Sequence, residues 1–293
     1  MDLQSYLADR AALVDAAMDA YLPAAKERPS TIHEAMRYAV FAGGKRLRPV
    51  LCLAAAEACG GETADALAPA CAVELMHTYS LVHDDLPAMD DDDLRRGRPT
   101  CHKVYGEGMA VLCGDALLTE AFLVLSQAPI TKRYGTRDHI AELAETGGSG
   151  SLIGGQVMDL EGEGKKLTKK ELVRIHEAKT AALLTTSLRL GAMTANAAPA
   201  KLDALTIFGH NLGLAFQVID DILDVTQSTE VLGKTAGKDQ VVEKATYPAV
   251  IGLEASRKEA EKLTKAAMDS LKPLAKNAKR LKEIASHLLG RQY

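Results

Sequence analysis

Asp84-Asp85-Leu86-Pro87-Ala88-Met89-Asp90 ends one long apolar segment of this chain, and Asp220-Asp221-Ile222-Leu223-Asp224 ends another. Hydrophobic residues recur at helical spacing in both segments, and Pro87 stops the first of them. A helix C-terminus carries partial negative charge, so acids there cost roughly 0.3–1 kcal/mol each. Two such clusters, about 130 residues apart in the sequence, predict a helical fold with a strongly cationic group between them.

The remainder of the chain also favours helices over strands. Hydrophobic residues make up 47% of the 293 residues, but aromatic residues only 4%, and tryptophan is absent. No segment alternates as a strand would, and no repeat or linker divides the chain, so we expect one all-α domain over residues 1–293. A capping box at Thr31-Ile32-His33-Glu34 is expected to open the second helix, which ends near Gly43-Gly44. The other predicted helices span residues 2–22, 49–59, 63–86, 107–127, 137–160, 168–195, 201–225, 245–271 and 274–289.

Charge and composition exclude several classes of protein. The net charge of −4 argues against general nucleic-acid binding, which needs a basic surface. The N-terminus lacks a basic stretch followed by an apolar run, and no apolar run reaches the length of a membrane span. We therefore expect a soluble cytoplasmic protein with reduced thiols. Its five cysteines lack zinc-site spacing: Cys52, Cys59, Cys71, Cys101 and Cys113.

The two acidic clusters predict a magnesium site. Asp220 and Asp224 share one face of a helix, whereas Asp84 and Asp85 end theirs and Asp90 follows the turn. A solvated acidic loop balanced by nearby arginines explains the first cluster, but the second is interleaved with apolar residues, where unpaired charge is costly. Mg²⁺ ions between the clusters could hold a diphosphate. Such a site fits ionisation of a carbon–oxygen bond as well as phosphoryl transfer.

Three basic segments accompany the acids and supply donors for phosphate oxygens. They are Gly43-Gly44-Lys45-Arg46-Leu47-Arg48-Pro49, Arg95-Arg96-Gly97-Arg98-Pro99 and Gly233-Lys234-Thr235-Ala236-Gly237-Lys238. Adjacent arginines on an extended segment point to opposite sides, so Arg95 and Arg96 are expected to serve two different phosphates. The Gly-Lys-Thr of the third segment is not a phosphate-binding P-loop, since it lacks the first glycine and follows no strand.

These motifs, in this order over nearly the whole chain, resemble the short-chain trans-prenyl diphosphate synthases, and most of all the bacterial farnesyl-forming members. The resemblance implies an all-α fold of the isoprenoid synthase type, a single bundle of roughly ten or more helices around a deep central cavity. It also implies a homodimer that condenses isopentenyl diphosphate with dimethylallyl or geranyl diphosphate, after Mg²⁺-assisted ionisation of the allylic partner. The departing diphosphate would then remove a proton from the condensed cation.

The same resemblance assigns roles to individual residues. Three Mg²⁺ ions would be bound by Asp84, Asp90 and Asp220, with Asp85 and Asp224 in support. The allylic diphosphate would be held by Arg95, Lys179 and Lys234, and the diphosphate of isopentenyl diphosphate by Lys45, Arg48, His77 and Arg96. Thr180 and Gln217 would place oxygen dipoles near the allylic cation, and Gln156 would lie on an active-site helix.

Product length is expected to depend on the residues just before Asp84. In the family, a bulky residue five positions before the first aspartate blocks the cavity floor, so Tyr79, with Ser80 beside it, favours the C15 product farnesyl diphosphate. The two extra residues, Ala88 and Met89, also resemble the bacterial farnesyl-forming enzymes, although some geranylgeranyl-forming lineages share them.

Three alternatives remain open from the sequence. The first is a geranylgeranyl diphosphate synthase with a C20 product. The second is a class I terpene cyclase, which needs no second diphosphate site and so leaves Lys45, Arg48 and Arg96 unexplained. The third is a non-catalytic partner subunit of a prenyl synthase, which would be expected to lose acids from one cluster. The sequence leaves open whether Arg291-Gln292-Tyr293 folds over the site.

Overall fold

The computed structural model describes residues 1–226 and 245–290, and these form an all-α protein. Its first helices are α1 Leu3–Tyr21, α2 Ser30–Val40, α3 Leu47–Cys59, a 3-10 turn Ala64–Ala66 and α4 Leu67–Asp84. A short hairpin of β1 Leu94–Arg95 and β2 Arg98–Pro99 follows. The middle of the chain forms α5 Cys101–Tyr105, α6 Glu107–Leu125, α7 Thr136–Gly147, α8 Leu152–Gly162, α9 Lys169–His176, a π-turn Glu177–Ala181, α10 Ala182–Thr194 and α11 Pro199–Thr226. The last elements are α12 Tyr247–Ile251, α13 Leu253–Ser270, a 3-10 turn Lys272–Ala278 and α14 Lys279–Leu289.

The helical fold class is confirmed, but four local predictions are wrong. The segment 245–271 is two helices, α12 and α13, because Gly252 between them has positive φ, 82°. The segment 137–160 is two helices, α7 and α8, because Gly148 has extended backbone at the end of α7. The segment 168–195 is interrupted by the π-turn. The capping box at 31–34 does not form, since α2 already begins at Ser30 and its N-cap Pro29 makes no side-chain cap. Thr31 therefore lies inside the helix, where its hydroxyl cannot cap the N-terminus.

The core is built from helices that cross at small residues. α4 packs on α6, α3 on α10, and α11 on both α10 and α13. Where α10 crosses α3, the Cα of Gly191 faces the carbonyl of Cys52 so closely that any Cβ would collide with it. Close helix packing of this kind requires small side chains at the crossing point. The large buried residues around these crossings include Leu51, Leu53, Leu75, Met76, Leu117 and Phe208.

The β1–β2 hairpin is a further feature that the helical pattern did not predict. Its two strands pair antiparallel, Leu94 with Pro99 and Arg95 with Arg98. Arg96 and Gly97 at its tip both have positive φ, 55° and 75°, as the primed two-residue turn of a hairpin requires. Arg95 and Arg96 therefore diverge because a turn begins between them, and not because both lie on one extended strand.

Among residues 1–226 and 245–290, two helices are long and apolar enough to cross a membrane by length and composition, α6 and α11. Core helices of soluble proteins pass the same test, and α11 has 56% of its most apolar window buried in the bundle. In α6 only 39% of that window is buried, so this helix leaves an apolar face exposed. The five cysteines are free thiols, and four of them are buried.

Candidate active site

The first acidic cluster lies where α4 ends. Asp84 is the last residue of α4, and the backbone N–H of Asp90 donates to the Asp84 carbonyl at 2.8 Å, which folds the following loop back onto the helix. The pKa of Asp84 is raised to about 6, mainly by burial; the Lys179 ammonium opposes the rise, and the nearby Asp90 carboxylate adds to it. The structure thus brings Asp84 and Asp90 together and places a cation from a distant segment near them.

Asp85 contacts an arginine of the hairpin. Its buried carboxylate, 3% exposed, accepts from Nε of Arg95 at 2.9 Å and also from Nη2. Asp92 accepts from the same guanidinium at 3.3 Å. Burial raises the pKa of Asp85, and the hydrogen bond from Arg95 counters that effect. Asp85 therefore fixes the position of Arg95 beside the acidic cluster.

A second group of cations lies near His77, about two turns before Asp84 on the same helix. Burial lowers the pKa of Arg48 to about 10, and burial together with Arg48 and Arg96 lowers the pKa of His77 well below its usual value. Nε of Arg48 lies in the interior and has no hydrogen-bond partner within the described residues. Arg96 donates to the Gly43 carbonyl, and Lys45 is exposed beside it. Cationic groups gathered in this way favour an anionic ligand, since burying them without one is costly.

Arg46, which the sequence did not single out, anchors that group. It has left-handed backbone with φ 49° at the start of α3, and its guanidinium is buried. Nη1 donates to Oε1 of buried Glu74 at 2.9 Å, Nη2 to the Val40 carbonyl at 2.7 Å, and Nε to Asp15 at 2.8 Å. Because Glu74 belongs to α4, this ion pair ties the 43–48 turn to the helix that carries His77 and Asp84.

The π-turn carries the next two predicted residues, Lys179 and Thr180. Nζ of Lys179 lies 2.7 Å from Oδ2 of Asp159 on α8. A Cβ on Gly155 of α8 would come within 2.5 Å of the Lys179 amide nitrogen, and Gly213 of α11 approaches the opposite side of the turn as closely. Glycines therefore let two helices contact the π-turn from both sides. Single-turn π-helices recur at functional sites because they redirect side chains locally.

The second acidic cluster lies on α11, next to the π-turn. Asp221, 6% exposed, accepts from Nε2 of Gln217 at 3.1 Å and from the backbone N–H of Tyr247 at 2.9 Å. The hydroxyl of Thr180 donates to Oε1 of Gln217 at 3.2 Å. Asp220 and Asp224 are half-buried on the same helix. Thr180 and Gln217, assigned to the same place by the sequence, are thus in direct contact.

The predicted product-length gate is a buried aromatic ring on α4. Tyr79 is 5% exposed and packs edge-on against His83, with ring centroids 5.8 Å apart. His83 in turn faces Gly114 of α6, where any Cβ would overlap its ring. Ser80 donates to the His77 carbonyl at 2.9 Å, so its hydroxyl is used within the helix.

Two predicted site residues, Gln156 and Lys234, remain to be located. Nε2 of Gln156 on α8 is buried and has no partner in the described part of the chain, so it is available to a ligand. Lys234, and with it the third basic segment, lies outside the described residues, as does the tail 291–293.

The carboxylates of the two acidic clusters are the type of ligand that Mg²⁺ prefers. Oxygen ligands suit this ion, which usually takes one or two carboxylates and completes its shell with waters and substrate phosphates. Within residues 1–226 and 245–290, no three His, Cys, Asp or Glu side chains converge to hold a metal by themselves. Burial raises the pKa of Asp84, and a bound cation would oppose that effect.

Sequence reasoning missed Asp159, Asp221 and Glu74, which hold Lys179, Gln217 and Arg46 in place. Glu74 and Asp159 are single acids on helices, and neither stands out as a pattern. Asp221 belongs to the quoted cluster, and the apolar residues interleaved with that cluster were the available signal that one of its acids is buried.

Comparison with known proteins agrees with this geometry. Residues 29–287 match the family model described as Polyprenyl synthetase. The chain is 50% identical over 276 residues to the "Heterodimeric geranylgeranyl pyrophosphate synthase large subunit 1, chloroplastic" of Arabidopsis thaliana, covering 92% of this chain and 74% of that protein. It is 49% identical to the "Geranylgeranyl pyrophosphate synthase, chloroplastic" of Capsicum annuum, over 91% and 72% of the two chains. The apo crystal structure of an FPP/GFPP synthase from Zymomonas mobilis superimposes with a TM-score of 0.88 at 34% identity, covering 98% of each chain.

Proposed function

Because the chain belongs to the polyprenyl synthetase family, whose members are prenyltransferases that use isopentenyl and allylic diphosphates, we propose that it joins these two substrates and forms the C20 product geranylgeranyl diphosphate. The observation that carries the proposal is the presence of two separate sets of cations. Arg48 and Arg96 form one set around the uncharged imidazole of His77, and Lys179 and Arg95 lie beside the acidic cluster. An enzyme that handles a single diphosphate would need one set only.

In this proposal the first set binds isopentenyl diphosphate without metal, and the second binds the allylic diphosphate. The family generally uses Mg²⁺, which when bound stabilises negative charge on the leaving diphosphate. We assign its binding to Asp84, Asp90 and Asp220, with three ions in all, and secondary support to Asp224. Asp85 acts through Arg95, its partner in the structure.

The chain's own residues then protect and stabilise the allylic cation. The oxygen atoms of Thr180 and Gln217 provide dipoles that favour positive charge in a site from which water is excluded. Lys179, held by Asp159, and Arg95, held by Asp85, donate to the departing diphosphate. Lys234 is proposed to join them, and Lys45 to join the isopentenyl set.

The C20 product is supported by the curated relatives, which are named geranylgeranyl synthases at 49–50% identity. A second candidate is the C15 product, farnesyl diphosphate, and Tyr79 is the observation that favours it. Its ring is buried just over one turn before the acidic cluster, against His83, at the position where the family resemblance puts the floor of the substrate cavity. Chromatography of the dephosphorylated products separates the two candidates.

We also propose that a second copy of the chain covers the exposed apolar stripe of α6. Leu112 and Leu123 are eleven residues apart and so lie on one face of the helix, 55% and 58% exposed. Leu112→Asp is expected to convert a dimer to a monomer in light scattering. Ile207→Asp, at an equally exposed position on α11, is the matched control and should remain dimeric. A wild-type monomer, or a dimeric Leu112→Asp variant, would refute the homodimer.

The presence of both acidic clusters argues against a non-catalytic partner subunit, although one curated relative is named as the large subunit of a heterodimer.

A single domain over residues 1–293 is part of the proposal. The fold is that of a soluble enzyme. The relatives named above are called chloroplastic, which favours a plastid over the cytoplasmic location expected from the sequence.

The two diphosphate sites are tested by comparing variants. Arg48→Gln should raise the KM for isopentenyl diphosphate about tenfold or more and leave the allylic KM nearly unchanged, since each lost charged contact is worth roughly 1.5–3 kcal/mol. Lys179→Gln should impair use of the allylic substrate instead. Lys169→Gln, which removes an exposed ion pair with Glu259, is the control. Equal effects of the first two variants on both substrates would contradict two separate sites.

A further inference from the structure

Asp221 determines which groups donate and which accept in the hydrogen bonds that link Thr180, Gln217 and Tyr247. Its two carboxylate oxygens accept from two groups on different elements, Nε2 of Gln217 at 3.1 Å and the backbone N–H of Tyr247 at 2.9 Å. A carboxylate in this role only accepts, and a backbone N–H only donates. The amide of Gln217 must therefore turn its NH₂ towards Asp221, which leaves its oxygen facing Thr180.

This orientation matters because an amide has two chemically opposite ends. With Oε1 beside the Thr180 hydroxyl, at 3.2 Å, the negative end of the amide dipole lies at the π-turn. A reversed amide would present its NH₂ there, and that positive end would repel a developing cation. Asp221 is 6% exposed, and Tyr247 is 1% exposed, so solvent does not replace either contact.

We propose that Asp221 is a positioning residue that holds Gln217 in the orientation needed for cation stabilisation, and that it does so from the buried side of α11 without binding metal. The proposal deepens the proposed function and rests on it. It separates the adjacent acids of the second cluster by role: Asp220 binds Mg²⁺, and Asp221 sets the direction of an amide.

The test exchanges the carboxylate and the amide between positions 217 and 221. In Asp221→Asn, the Tyr247 N–H takes the new amide oxygen, so an NH₂ group faces the NH₂ of Gln217 and forces that amide to reverse. In the double variant Gln217→Glu with Asp221→Asn, the new carboxylate at 217 accepts from both Thr180 and the new amide at 221. The three hydrogen bonds that run from Thr180 through positions 217 and 221 to the Tyr247 N–H are then all present, and only the bond between positions 217 and 221 has its donor and acceptor exchanged.

We expect Asp221→Asn to lower kcat about 10- to 100-fold, because one dipole aligned with the cation is lost. The KM values and the Mg²⁺ concentration that gives half the maximal rate should stay nearly unchanged. Asp220→Asn should instead raise that Mg²⁺ concentration. In the absence of substrate and metal, Asp221→Asn and Gln217→Glu should each lower the Tm, and the double variant should recover most of the loss.

Two results would overturn the proposal: a Mg²⁺ requirement shifted as much in Asp221→Asn as in Asp220→Asn, or a double variant no more stable than the single ones. If Asp221→Asn does not fold, the double variant is still expected to be soluble and more stable than Gln217→Glu alone, and its failure would count against the proposal. A wild-type protein that forms no prenyl product would refute the proposed function, and the recovery of Tm would still test the hydrogen-bond polarity.

Discussion

Removing the charge of Glu74 tests whether the buried ion pair with Arg46 anchors the isopentenyl diphosphate site. Both side chains are almost fully buried, 3% and 2% exposed, and Oε1 lies 2.9 Å from Nη1. Breaking a buried pair by removing one partner typically costs about 3–5 kcal/mol, because the other charge stays behind. Asp15 also contacts Arg46, at 2.8 Å, and its side chain is 46% exposed, so part of the compensation remains. We therefore expect Glu74→Gln to lower the free energy of unfolding by about 3 kcal/mol, the lower end of that range.

Urea unfolding followed by circular dichroism measures this loss. The matched control is Glu254→Gln, which breaks an exposed pair with Arg257 and should cost about 1 kcal/mol or less. Glu74→Gln should also raise the KM for isopentenyl diphosphate more than the KM for the allylic substrate, because the ion pair ties the 43–48 turn to α4. An unfolding free energy within about 1 kcal/mol of wild type, together with unchanged KM values, would refute the anchoring role.

Three further predictions concern the π-turn, a buried histidine and the gate. Gly213→Ala would place a Cβ 2.5 Å from Cα of Ala181. It should lower the free energy of unfolding by about 1–3 kcal/mol and remove most of the activity. Gly108→Ala, where a Cβ meets open space, is the control and should be neutral in the same thermal and kinetic assays. Burial lowers the pKa of His176 to about 4, so the unfolded chain binds the proton more tightly and stability falls as the pH drops from about 6.5 towards 4. His176→Gln should remove up to roughly 3 kcal/mol of that pH dependence, and an unchanged slope in urea titrations would argue against it. Tyr79→Ala should lengthen the main product by at least one C5 unit in chromatography of the prenyl alcohols, and an unchanged product would exclude Tyr79 as the gate.

The helical architecture could be predicted from the sequence because the hydrophobic positions of each helix repeat at its own period. Features that depend on a neighbouring element could not. The π-turn at 177–181 lies between Gly155 and Gly213, which are far away in the chain. The break at Gly148 had a local signal that the periodicity argument passed over, since Gly147-Gly148-Ser149-Gly150 contains the Gly-Gly and Ser-Gly pairs that mark turns.

The same distinction holds for the site. The acidic and basic motifs are local patterns, so the sequence singles out Asp84, Asp90, Arg95 and Arg96 as candidates. The residues that hold the functional side chains in place are contributed by other helices, as Asp159 is for Lys179, and nothing local marks them. The divergence of Arg95 and Arg96 was predicted correctly, but the backbone that causes it is a tight turn.

Both acidic clusters are assigned here to one chemical step, the ionisation of an allylic diphosphate followed by attack of isopentenyl diphosphate. The most direct measurement incubates the purified protein with labelled isopentenyl diphosphate and geranyl diphosphate, with Mg²⁺ or with a chelator, and follows released diphosphate and prenyl products together. We expect Mg²⁺-dependent release of one diphosphate for each C5 unit added, with C20 as the final product. No diphosphate release with Mg²⁺, or equal release with the chelator, would contradict the account.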